Sequence, residues 1–227
     1  MTQALRARRP SWTATDRERA WIAAAIVFAV ALVPRALVVW KWGGAALVWD
    51  GHYYDFGARR IAEGLGYSDD VVIGGRSVWH PWCHYPVGYS AFLGAFYRVF
   101  GADQRVADSV NVVTGALLAP VSFALARHGL SFRRAVAAGG LVALSPGLVV
   151  YAALSMTEPL AALLSLVAFL AAVGLRRPWA GLVVGALVLG VAALVRPQAL
   201  MCAPFLGLVI VKGRPRGPLG PKLRAGA

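Results

Sequence analysis

Carboxylates and guanidinium groups occur together in one aromatic-rich stretch, VWDGHYYDFGARRIAEGLGYS at residues 48–68, which carries Asp50, Asp55, Glu63, Arg59 and Arg60. A carboxylate at the edge of an apolar region can be tuned to take a proton from a hydroxyl, and guanidinium groups suit bidentate binding of phosphate. Asp50, flanked by Trp49 and Gly51, stands at such a junction. Two plainer roles compete with a catalytic one there: an interface-facing acid, or the N-cap of a following helix. Asp55, Arg59 and Glu63 follow one another at spacings of four. That spacing predicts exposed, solvated pairs on a helix, contributing roughly 0.2–0.5 kcal/mol each.

Two further groups lie far along the chain. In LSMTEPLAALL, Ser155 and Glu158 have capping-box spacing, but Pro159 would then lack the N–H that Ser155 should receive. With Thr157 as the cap, Pro159 falls in the first turn, where proline is tolerated, and Glu158 is left free. In LVRPQAL, Arg196 either complements a helix C-terminus and snorkels, or binds phosphate. Arg35, nearer the end of the first apolar run, is expected to snorkel. HPWCH at residues 80–84 offers His80, Cys83 and His84 as ligands, but Pro81 prevents a regular helix from aligning them and no second cluster accompanies them. No metal is assigned on that basis. Cys83 and Cys202 are mismatched in depth, so no disulfide is expected. No Walker loop, dinucleotide fingerprint or serine-nucleophile motif is present.

The elements that must position these groups are apolar. The 227 residues are 59% hydrophobic and 15% charged, with a mean hydropathy of +0.63, too apolar for an ordinary soluble domain. Apolar runs at 21–39, 109–126, 135–151, 159–175, 179–195 and, more weakly, 199–211 predict an all-α polytopic membrane protein with about six transmembrane helices. The first run lacks a small-residue cleavage site and reads as an uncleaved span. The net charge of +13 is a matter of sidedness and does not indicate nucleic-acid binding. Arg6, Arg8, Arg9, Arg127, Arg133, Arg134, Arg176, Arg177 and the basic residues after 211 fall on one side of alternating spans, which the positive-inside rule makes cytoplasmic. The organisation expected is a cytoplasmic tail at 1–19, a membrane domain at 20–211 and a basic cytoplasmic tail at 212–227.

Most acids fall on the other side, chiefly in a large first extracytoplasmic loop at about 40–107. It holds Trp40, Trp42, Trp49, Trp79 and Trp82, as expected of a segment lying along the membrane surface. Tyr54, Ala58, Ile61 and Leu65 share one helical face, predicting an amphipathic interfacial helix that Gly64 and Gly66 end. A second such helix is expected from near Pro86 to Gly101.

The order of these marks resembles the GT-C superfamily of membrane glycosyltransferases, particularly bacterial members related to protein O-mannosyltransferases and aminoarabinose transferases. WDGHYYDFGARRIAEGLGYS looks like the acidic first outer loop, HYPVGYSAFLGAFYRVFG is similar to the Pro-Pro-Gly-Tyr-type segment and following helix, SMTEP looks like a second acidic site, and LVRPQAL like a recurring Arg-Pro segment. Val87 stands where the family commonly has a second proline, and such enzymes usually have more spans. The resemblance therefore covers the N-terminal catalytic portion, and a partner chain could supply further helices.

The resemblance implies transfer, with inversion, of a hexosyl or pentosyl group from a polyprenyl-phosphate-linked donor in the plasma membrane to an extracytoplasmic lipid, glycan or protein acceptor. Asp50 and Glu158 would be catalytic, Arg59, Arg60 and Arg196 would hold the donor phosphate, and Tyr53, Tyr54, His80 and Tyr89 would bind substrate. The sugar donor is a co-substrate, and no cofactor is assigned. Some superfamily members use a divalent metal. The alternatives are a non-enzymatic transporter, flippase or assembly subunit, which would place charges near the middle of spans, or an inactive truncated relative.

Overall fold

The computed structural model describes residues 13–42, 50–81, 85–175 and 177–213. Among the described residues two helices are long and apolar enough to cross a membrane: α1 (Ala14–Trp42, mean hydropathy 2.5) and α4 (Gln104–Ala126, mean hydropathy 1.7). They pack through small side chains, with Ala20, Ala23, Ala31, Ala116 and Ala119 in one buried cluster with Val27 and Phe123. Alanine at these positions lets the backbones approach closely.

The third apolar run is broken. It forms α5 (Phe132–Ala143) and α6 (Pro146–Val150), the latter continued by a 3₁₀ turn at Tyr151–Ala153, and the two parts are bent by 53°. Counted as one span, this pair makes three. The remaining apolar helices, α7 (Glu158–Gly174), α8 (Pro178–Val195) and α9 (Ala203–Gly213, preceded by a 3₁₀ turn at Pro197–Cys202), are shorter. Against the six spans expected, the described residues thus offer two candidates by length and composition, or three with the bent pair. Proline is the physical reason for the break: Pro146 has no N–H to give the Val142 carbonyl.

Arg35 supplies the missing donors. Its Nη2 donates to the Val142 carbonyl at 3.4 Å, and its Nη1 to the carbonyls of Ala143 at 2.8 Å and Ala31 at 2.7 Å. The side chain is fully buried, so the snorkelling expectation is overturned. Gly115 on α4 leaves room for it: a Cβ there would stand 3.1 Å from Arg35 Nε.

Between α1 and α4 lie α2 (Gly51–Ala62), an antiparallel hairpin of β1 (Ser68–Ile73) and β2 (Arg76–Pro81), and α3 (Val87–Phe100). The all-α expectation is corrected by this hairpin. Gly74 and Gly75, at φ of 60° and 80°, form its two-residue tip between Ile73 and Arg76, as a hairpin turn with both central residues left-handed requires. On α2, Tyr54 and Ala58 are buried. They join Tyr89, Leu93 and Tyr97 of α3, Ala107 of α4, Leu160 and Ala161 of α7 and Val195 of α8 in a second core. Leu65 lies beyond α2 and is exposed.

Candidate active site

Asp50 closes the N-terminal end of α2, but its side chain makes no capping bond. One carboxylate oxygen, Oδ1, accepts a hydrogen bond from the Tyr85 hydroxyl at 2.8 Å instead. The side-chain N-cap role considered for Asp50 is therefore not the geometry adopted. Tyr85, just before α3, meets Tyr53 and Tyr54 with ring centroids 5.3 Å away in each case. Its hydroxyl is pushed up to about 12 by the hydrogen bond to Asp50, reinforced by desolvation and by the carboxylate's charge.

The second acid opens α7. The N-cap position is Thr157, with Pro159 in the first turn, so the capping box from Ser155 is not formed. Glu158 Oε1 is ion-paired with Arg196 Nη1 at 2.5 Å. The same guanidinium nitrogen donates to Thr157 Oγ1 at 3.1 Å. Arg196 closes α8 in extended conformation, φ −150° and ψ 111°, which directs the chain away from the helix axis beside the start of α7. The Tyr54 hydroxyl is held above its ordinary pKa chiefly by burial, against a hydrogen bond with Thr157, and the charges of Asp50 and Glu158 both raise it further. Tyr54 packs against Tyr85, which holds Asp50, and its hydroxyl meets Thr157, to which Arg196 also donates.

Two glycines permit this meeting. A Cβ on Gly51 would stand 3.2 Å from the Ser155 carbonyl oxygen, and one on Gly88 would stand 2.5 Å from the backbone of Leu194. The start of α2 therefore rests on the backbone just before Glu158, and the start of α3 on the backbone just before Arg196. A larger residue at Gly88 would have to push α3 from α8, and one at Gly51 would require its neighbour to give by a few tenths of an ångström.

The other expected site residues are placed differently. Asp55 is 6% exposed; it pairs with Arg59 at 2.6 Å and accepts from the Tyr97 hydroxyl. The expectation of a solvated Asp55 is overturned, because Tyr97 comes over it from α3. Arg59 also donates to the Ala102 carbonyl at 2.8 Å. Arg60 holds Asp70 at 2.9 Å and Ser68, which ties the hairpin to α2. Of the three arginines, Arg196 is the one the structure brings to the acids. His80 pairs with Asp69 at 2.8 Å across the hairpin. Tyr53 is partly exposed beside Tyr85, whereas Tyr89 is fully buried behind Tyr54, its hydroxyl donating to Asn111.

Trp49, Cys83 and His84 lie outside the described residues. Among the described residues no three His, Cys, Asp or Glu side chains stand together. Tyr85 and Asn111 were not singled out from sequence. The tyrosine preceding a proline in HYPVGYS was the available signal for Tyr85, and an amide inside an apolar run was the signal for Asn111.

The sequence model of the dolichyl-phosphate-mannose-protein mannosyltransferase family matches residues 84–220, more than half of the chain. The match includes Tyr85, Glu158 and Arg196 and begins beyond Asp50 and α2. No curated protein and no solved structure matches.

Proposed function

This chain belongs to the dolichyl-phosphate-mannose-protein mannosyltransferase family, of GT-C-type glycosyltransferases, and from that premise we propose that it transfers a sugar, with inversion, from a polyprenyl-phosphate donor to an extracytoplasmic acceptor. The observation that supports this reading is the pair of close backbone approaches, Gly51 on Ser155 and Gly88 on Leu194, which bring the Asp50 end of α2 and the start of α3 beside the segments carrying Glu158 and Arg196.

In the proposed step Asp50 takes the proton of the acceptor hydroxyl on the carboxylate oxygen that Tyr85 does not occupy. The acceptor oxygen bonds to the anomeric carbon as the bond from that carbon to the phosphate oxygen breaks. The polyprenyl phosphate leaves with the bonding electrons, and Arg196 stabilises the charge that develops on it. Tyr85 fixes the orientation of Asp50, and the rings of Tyr53 and Tyr54 provide apolar faces for the sugar. Arg59 and Arg60, held by Asp55 and Asp70, shape α2 and its hairpin.

A transporter reading calls for functional charges inside the spans. The charge buried in α1, Arg35, is instead engaged by backbone carbonyls of the broken α5, a structural use. The test is transfer by the purified full chain reconstituted with a polyprenyl-phosphate donor radiolabelled in its sugar. Acceptor-dependent loss of label from the lipid fraction is the expected result. Lipid that binds yet keeps its label with every acceptor class offered would exclude the reading.

A further inference from the structure

Asn111 lies on α4 and is 1% exposed. Its Oδ1 accepts from the Tyr89 hydroxyl at 2.8 Å, and its Nδ2 donates to the Leu154 carbonyl at 3.2 Å. The Leu154 carbonyl can only accept, so the amide nitrogen must face it, and the oxygen is then left for Tyr89. A carboxamide is one of the few side chains that can donate and accept at once in so small a space.

Each end of this side chain leads to one half of the site. Tyr89 packs against Tyr54 at 5.4 Å, Tyr54 against Tyr85 at 5.3 Å, and Tyr85 holds Asp50 at 2.8 Å. Leu154 opens the short linker to Glu158, and the next residue, Ser155, presents its carbonyl to Gly51 at the start of α2. The linker and α3 belong to different parts of the chain, and α4 lies between them in sequence. An apolar residue would satisfy the core around Asn111 but would leave the tyrosine hydroxyl and the carbonyl unjoined.

We propose that Asn111 is a positioning residue for sugar transfer: its amide ties α3 to the linker before Glu158 and so fixes the separation of Asp50 from the Glu158–Arg196 pair. This rests on the reading of Asp50 as the base. Asn111→Asp keeps the acceptor and removes the donor to Leu154. Tyr89→Phe keeps the ring against Tyr54 and removes the hydroxyl.

The test uses the full chain in lipid nanodiscs and three measurements on each variant. They are the single-turnover transfer rate per folded molecule at saturating donor, the donor-lipid Kd, and the distance distribution between spin labels at Glu63 and Val150. The labelled chains carry serine in place of Cys83 and Cys202. In both variants the rate is expected to fall roughly 10- to 100-fold, the order set by displacing a catalytic group by about 1 Å. Donor Kd should stay within about threefold, since Arg196 is retained, and the distance distribution should broaden. A purely structural role would lower the yield of folded protein and leave the rate per folded molecule unchanged, which would overturn the inference. Slowing without broadening, broadening without slowing, or a change in Asn111→Asp alone would overturn it too. If Asn111→Asp does not fold, Tyr89→Phe decides by the same readouts. Asp50→Asn in the same series separates the two ideas. Normal transfer there removes the reading of Asp50 while the distance measurement still tests the tie, and slow transfer there with unchanged Asn111→Asp and Tyr89→Phe rejects the tie alone.

Discussion

Asp50 and Tyr85 form a pair whose members come from either side of the hairpin, and the pair leaves a titration signature. Tyr85's pKa of about 12 in the folded chain exceeds the usual tyrosine value of about 10. Its stabilising contribution is therefore fully present below pH 10 and lost as pH rises towards 12. Tyrosinate absorbance of the wild type minus that of Tyr85→Phe is expected to show this late titration. In Asp50→Asn the same difference curve should move towards pH 10, because the hydrogen bond to a carboxylate is weakened and its charge is gone. An unmoved curve would mean that Tyr85 does not rest on Asp50. Glu158 has a different consequence. It neutralises Arg196 in a half-exposed pair, so Glu158→Gln is expected to tighten donor-lipid binding by up to about fivefold, the equivalent of about 1 kcal/mol for such a pair. Weaker binding in an equilibrium lipid-binding measurement would place Glu158 within the donor site itself. Asp50, Glu158 and Arg196 stand out in the sequence as candidates because charges at the ends of apolar runs are costly enough to need a reason, while their partners are set by the fold. Asp55 was misread because spacing shows a neighbour four residues away but not Tyr97, which reaches it from 42 residues on.

At the scale of elements, the break between α5 and α6 decides where the linker to Glu158 begins, and Arg35 makes the break tolerable in an apolar setting. Arg35→Met fills similar space without donors. It is expected to destabilise the chain by roughly 2–6 kcal/mol, at about 1–3 kcal/mol for each of the Val142 and Ala143 carbonyls left unpaired. Thermal unfolding in detergent would show it, and an unchanged Tm would mean that the carbonyls find other partners. Gly88→Ala is the matching change on the other side: a Cβ 2.5 Å from the Leu194 backbone must push α3 from α8, lowering both Tm and transfer. Pro146 and the Gly74–Gly75 turn were both visible in the sequence. A continuous apolar run masked the first, and the all-α pattern of the rest masked the second. The use of Arg35 was not legible, since its acceptors lie 107 and 108 residues away and are backbone atoms, which carry no sequence signal.

Across the whole molecule the helix ends sort into two groups. At one, the start of α1 lies near the end of α4, where the Asp16 carboxylate feels Arg127. His128 lies by Gly174 at the end of α7. At the other, α2, α3, the start of α7 and the end of α8 gather around Asp50, Glu158 and Arg196. The positive-inside reading of the arginines proposes the second group as the outer one. Cysteines introduced at Ser77 and Gly129 are expected to differ in intact cells: an impermeant thiol reagent should label Ser77 and spare Gly129. The reverse pattern would invert the topology. The central claim is that Asp50 is the base of sugar transfer, and it is tested most directly by Asp50→Asn, which keeps size and polarity and removes the basic oxygen. Single-turnover transfer from a radiolabelled polyprenyl-phosphate donor should fall by roughly 10²–10⁴-fold, with donor binding retained through Arg196; near-normal transfer by Asp50→Asn would contradict it.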